Sequence, residues 1–157
     1  MDYAVGNSDN KFSFIIDTGS GTTLLNEVRC RTPGCKTRKA YDSHSSSNYV
    51  PFGKLVRINY AKGGVTIEIG KDDFYFDDLK ITNQEFGVIL NEEGLFQSAS
   101  YDGIVGFSYP TLSDNTKPFF DRIIEMKVLP KNIFSMYLSR SGTDQGQSDK
   151  DQQAEGP

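Results

Sequence analysis

The chain has 157 residues, 36% hydrophobic and 24% charged, which is the size of one domain with a real core. Its net charge of −4, from 17 basic and 21 acidic residues, offers no basic face for nucleic acid. No apolar run reaches the length of a membrane span. Met1–Gly6 also lacks a basic stretch and an apolar run, so there is no secretory leader in this sequence. On that ground either the protein is cytosolic or its leader lies outside the chain.

Phe (11) and Tyr (8) are plentiful and Trp is absent; such aromatic-rich composition favours strands. In chain order, residues 1 to 10 predict a short strand and a polar turn, and Lys11–Ile16 a second strand leading to Asp17. Thr22–Leu25 reads as a short strand, and 26 to 53 as loop. Leu55–Tyr60 and Val65–Ile69 alternate in polarity around the Gly-rich turn Ala61-Lys62-Gly63-Gly64, which predicts a β-hairpin. Further strands are expected over Asp73–Ile81 and Glu85–Leu90, and Tyr101–Phe107 reads as a core strand preceded by a turn. Phe119, Phe120, Ile123 and Ile124 repeat at helical spacing and predict a helix over Thr116–Lys127, with Asp114 or Thr116 as its cap. Ile133–Leu138 is expected to be a last strand. From residue 141 to 157 every residue is small, polar or charged, a composition that predicts a disordered tail after a domain spanning 1–140.

The stretch with chemical character is Ile15-Ile16-Asp17-Thr18-Gly19-Ser20-Gly21. A carboxyl at the end of an apolar strand stands where burial makes its charge costly. Thr18 and Ser20 supply hydroxyls to hold it, and glycines let the backbone turn and approach other groups. A carboxylate so placed is suited to activating water. An Asp-rich turn after a strand explains the tripeptide equally well. Cys30 and Cys35 flank the turn signal Pro33-Gly34, so a disulfide and a pair of free thiols both fit. His44, the single histidine, lies in a Ser-rich loop, and too few ligands accompany it for a metal site.

Several of these stretches, taken in order, resemble the amino-terminal lobe of pepsin-like aspartic endopeptidases. Val5-Gly6 and Lys11-Phe12 look like its lead-in, and Ile15 to Ser20 like its first catalytic signature. Cys30 to Cys35 resembles its small disulfide loop, and Ser45-Ser-Ser-Asn-Tyr49 its Ser-rich loop. Ile58-Asn-Tyr60 to Gly64 is similar to the flap, and Tyr101-Asp102-Gly103-Ile104-Val105-Gly106 to the segment behind the catalytic loop. The match continues through Phe107–Pro110, the Pro118–Ile124 helix and Ile133–Leu138. It implies a mainly β fold, one lobe of β-barrel-like orthogonal sheets with a short helix.

The resemblance implies that Asp17 is one of two aspartates sharing a proton across an attacking water, since carboxylates that close cannot both ionise. Thr18, Gly19, Ser20 and Gly106 would support the loop. Tyr60, Ala61, Lys62 and Gly63 would form the flap, and Leu95, Phe96 and Ile104 an apolar substrate pocket. Core packing accounts for those three pocket residues as well, and a cross-strand contact for Tyr60. No metal or other cofactor is implied. The expected substrate is a polypeptide cut between bulky apolar residues in acid, in a secreted, lysosomal or vacuolar setting.

Three departures stand out. No second Asp-Thr/Ser-Gly exists in the chain, Leu24 stands where the family often has tryptophan, and Ala61 replaces a frequent flap glycine. The first makes the chain a truncated single lobe by expectation. Its partner is then either the missing carboxyl-terminal lobe or a second copy across a two-fold axis. A lobe that binds peptide without cutting is the remaining alternative.

Overall fold

Strict alternation places Phe12 and Phe14 inside while Lys11, Ser13 and Ile15 face out, and this period of two fixes the strand that carries Asp17. The computed structural model describes residues 1–6, 9, 11–61 and 63–138, and for Leu95 the backbone alone. Its strands are β1 (Asp2–Val5), β2 (Lys11–Asp17), β3 (Leu24–Asn26), β4 (Val50–Tyr60), β5 (Gly63–Phe76), β6 (Leu79–Gly94) and β7 (Gly103–Gly106). One helix, α1 (Phe119–Glu125), follows them. The sheet runs in the order β1-β2-β7-β3-β6-β5-β4. A further pairing of β1 with β5, Ala4 opposite Tyr75, joins the sheet back to its own start. Six strands thus close into a barrel and β4 extends from its edge, so the fold is the mainly β lobe that the sequence predicts.

Two apolar clusters lie on opposite faces of the central strands. Leu25, Val88 and Val105 point into one with Phe12, Phe14, Phe74 and Phe86. Their chain neighbours Leu24, Ile89 and Ile104 point into the other with Ile58, Val65, Ile67, Ile69 and the two cysteines. Strands buried on both faces read as unbroken apolar runs, which is why β3 and β7 show no alternation in the sequence.

Several boundaries differ from expectation. The strand predicted over Asp73–Ile81 is broken at the turn Asp77-Asp78, its halves belonging to β5 and β6. The segment Glu85–Leu90 is the middle of the long β6, and β3 begins two residues after Thr22. The helix is shorter at both ends. Pro118 occupies the N-cap and no side chain caps it, because the Thr116 hydroxyl bonds Ser113 instead. Lys127, at φ +55, ends it. Phe119 and Ile123, one turn apart, bury against the first cluster.

Ile133–Leu138 is not a strand. It has the composition of one, but a strand needs a ladder, and β2 beside it already pairs with β1 on one side and β7 on the other. The segment lies exposed, Ile133 at 71% and Tyr137 at 81%, with the Phe134 ring stacked edge-on to Phe107 and Phe120. The tail expected from residue 141 lies outside the described residues.

Asp102 ties the barrel together. Its Oδ2 accepts the Ser13 N–H of β2 at 2.8 Å and its Oδ1 the Lys39 N–H at 2.9 Å. Asp102→Ala leaves two partly buried backbone donors without their acceptor, so chemical denaturation is expected to show a loss of about 1–3 kcal/mol. Asp102→Asn, which keeps one acceptor, should lose less.

Candidate active site

The position of Asp17 follows from register. β2 and β7 run parallel with Asp17 opposite Gly106. The Phe107 N–H donates to the Asp17 carbonyl at 2.8 Å, and the Ser108 N–H to the Ser20 carbonyl at 3.0 Å. The Gly21 N–H donates to the Leu112 carbonyl at 2.9 Å. These bonds hold the turn after Asp17 against the chain leaving β7. Their spacing requires a glycine at 106: a Cβ there would lie 2.6 Å from the Gly21 carbonyl carbon and 2.7 Å from the Thr22 nitrogen.

The carboxylate itself is half-buried and each oxygen receives one donor. Gly19 N–H reaches Oδ1 at 2.8 Å, and the buried Ser20 hydroxyl reaches Oδ2 at 2.8 Å. Thr18, expected to share this task, is exposed, and the backbone of Gly19 provides the second bond in its place. Such bonds fix the orientation of the carboxylate.

Tyr60 ends β4 and stands over the second apolar cluster, its ring centroid 5.0 Å from that of Phe96. Phe96 and Ile104 are buried within that cluster, so they form its body, while Tyr60 and Tyr101 pack on it from outside. Burial, and after it the Asp114 and Asp17 carboxylates, push the Tyr60 hydroxyl pKa well up. Ala61 is exposed, and Gly63 opens β5 with φ +152, tight against the Glu93 carbonyl. Lys62 lies outside the described residues, and of Leu95 only the backbone, at the start of a 3-10 turn, is described. Cys30 and Cys35 form a disulfide, both buried in the second cluster. His44 is exposed in its loop. No group of three or more His, Cys, Asp or Glu is arranged to hold a metal among the described residues.

Two residues at the site escape a reading of the sequence. Tyr101 packs on the second cluster beside Tyr60, and burial pushes its hydroxyl pKa up, opposed by Arg38 and reinforced by Asp17. Arg38, paired with the buried Glu92, donates to the Tyr101 carbonyl and fixes this corner. Asp114, expected as a helix cap, instead donates its N–H to Thr22 Oγ1 at 2.8 Å and so rests on the Asp17 turn. Only the residue order before Asp102-Gly103 hinted at Tyr101, and nothing local hinted at Asp114.

The family model for eukaryotic aspartyl proteases matches residues 2–149. The chain belongs to that family. Cathepsin D of Gallus gallus is 37% identical to it over 145 residues, which is 90% of this chain and 36% of the relative. Embryonic pepsinogen of Gallus gallus is 34% identical over 139 residues, and cathepsin E of Rattus norvegicus 33% over 138. Each alignment covers 87% of this chain, against 36% and 35% of those relatives. This aspartyl-protease chain thus spans little more than a third of the curated relatives it matches.

A Gly106→Ala change in this family member forces the Cβ into the Gly21–Thr22 backbone. Denaturant unfolding is expected to show a loss of about 1–3 kcal/mol, the usual range for overpacking. The Gly19 and Ser20 bonds to Asp17 should loosen with it.

Proposed function

We propose that the chain provides one half of a peptide-hydrolysing site, with Asp17 as its carboxylate. The observation that carries this is the bonded Asp17 loop in a chain of the aspartyl protease family. In this reading the ionised partner of a carboxyl pair takes a proton from water. The water oxygen adds to the peptide carbonyl carbon while the protonated carboxyl gives its proton to the carbonyl oxygen. Collapse breaks the C–N bond, and the nitrogen leaves with a proton. Asp17 supplies one of those two roles. The Ser20 hydroxyl and Gly19 N–H hold its oxygens, Tyr60 closes over the peptide, and the cluster of Phe96 and Ile104 backs an apolar side chain.

The second carboxyl comes, in this proposal, from another lobe or from a second copy of the chain. An apolar groove of about 570 Å³ beside β2 supports a packed neighbour there; Ile15, Ile16, Phe107, Phe120 and Phe134 are among its lining. Exposed Ile133, Tyr137 and Leu138 extend the same apolar surface. A secreted, lysosomal or vacuolar setting goes with the reading, and the Cys30–Cys35 disulfide suits an oxidising compartment. A lobe that binds peptide without cutting is the alternative that the same test decides.

The test is cleavage of an unfolded protein across about pH 3 to 7, at a series of chain concentrations, beside Asp17→Ala. Activity that rises faster than linearly with concentration and vanishes in Asp17→Ala is the expected result for a site completed between copies. Activity restored only by an added carboxyl-terminal lobe assigns the second carboxyl to that lobe. Peptide binding that persists in Asp17→Ala, with no cleavage under any condition, favours the binding lobe instead.

A further inference from the structure

Among the described residues, β4 is the strand whose outer side is unpaired. β1 pairs with both β2 and β5, so the barrel closes, while β4 has β5 as its single neighbour. An unpaired edge is a row of backbone donors and acceptors that another strand can join. The first part of this one is blunted. Pro51 has no N–H, Gly53 turns at φ +66, and the register shifts between Pro51 and Lys54. From Lys54 to Tyr60 the pairing with β5 is unbroken, so the edge is regular there.

Which groups point outward follows from one contact. The Ile58 carbonyl oxygen faces β5, 3.0 Å from where a Cβ on Gly64 would stand. Antiparallel bonding alternates along a strand. The backbone groups of Val56, Ile58 and Tyr60 therefore turn to β5, and those of Leu55, Arg57 and Asn59 turn out. These last three are exposed, Leu55 at 65%, and no described strand lies beyond them. The side chains sort the same way. Val56, Ile58 and Tyr60 pack on the second cluster, and Leu55, Arg57 and Asn59 stand on the opposite face.

We propose that the β4 edge from Leu55 to Asn59 is a binding site that takes an extended polypeptide segment as an added strand. The groups on offer specify a backbone: three residues present N–H and carbonyl groups in strand register. Alternate side chains of the added strand fall beside Val56 and Tyr60, where they continue the apolar second cluster, and beside Leu55 and Arg57 on the other face. β4 carries Lys54 and Arg57 and no acid, so acidic residues suit that second set. A second copy of the chain suits the edge less well. The two-fold pairing that uses all three residues puts Arg57 directly opposite its counterpart, and like charges so placed are destabilising. Tyr60 ends this strand in the proposed cleft, so the segment is a stretch of substrate away from the bond to be cut. That assignment rests on the proposed function; the pairing itself does not.

The test uses the full chain and one probe, a fluorescein-labelled heptapeptide of alternating glutamate and valine. Without it, the Leu55, Arg57 and Asn59 amides are expected to exchange with deuterium faster than those of Val56 and Ile58, read by NMR. Saturating peptide slows the first three. Leu55→Pro removes an outward N–H and leaves the β5 ladder whole, so it should weaken binding about tenfold. Leu55→Thr keeps the N–H and should hold most of the affinity. The same peptide N-methylated at its two central residues, and so blocked on both edges, should not bind. Unfolding midpoints check that each variant is folded. The proposal is overturned by a peptide that slows none of the three amides, by equal binding of the N-methylated peptide, or by equal losses in Leu55→Pro and Leu55→Thr. Protection that grows with chain concentration in the absence of peptide assigns the edge to a second copy and overturns it too. No step depends on cleavage, so failure of the cleavage experiment leaves this measurement standing.

Discussion

The parallel pairing of β2 with β7 is the contact on which the rest depends. It sets Asp17 opposite Gly106, and the absence of a side chain there lets the turn through Gly21 lie directly on the departing chain. From that approach follow the backbone bonds to Phe107, Ser108 and Gly21, and from those the orientation of the carboxylate. Antiparallel hairpins elsewhere could shift by a bulge, as β4 and β5 do between Pro51 and Lys54, without disturbing the site. The β2–β7 register has no such slack, because a slip of one residue would turn Asp17 to the opposite face.

The two aspartates nearest this pairing show how surroundings assign roles. Asp102 is buried and both its oxygens are taken by backbone donors of distant segments, Ser13 of β2 and Lys39 of a loop, so it serves as a strut. Asp17 is half-buried, its donors come from its own turn, and one side of it remains open. Both residues precede or closely precede a glycine in the sequence. The difference lies in which groups surround them, and local sequence does not encode that.

Much of the architecture was nevertheless legible. The β4–β5 hairpin, the β1–β2 lead-in and the strand bearing Asp17 announce themselves by alternation and glycine turns. The disulfide loop was readable from Pro33-Gly34 together with a family pattern. What failed were inferences that need a neighbour to be known. Ile133–Leu138 has strand composition and no free edge to join. Thr116 has a capping side chain, but Ser113 engages it first. Thr18 has the right hydroxyl for Asp17, yet its side chain faces solvent while a backbone N–H does the work. Tyr101 and Asp114 reach the site because separate loops fold over it, a tertiary fact with no periodic trace.

The closure of the barrel also has a kinetic consequence. β1 can pair with β5 only after some seventy residues have been brought round to it, as the contact of Ala4 with Tyr75 requires. The Ser13–Asp102 bond beside the Asp17 strand spans 89 residues of chain. Contacts of that separation carry a large loop-closure entropy before they return any energy, and chains rich in them fold slowly. The local hairpins of β4, β5 and β6 form without that cost. The acid is thereby placed by the late, long-range contacts, so a partly folded chain holds a sheet before it holds an assembled carboxylate.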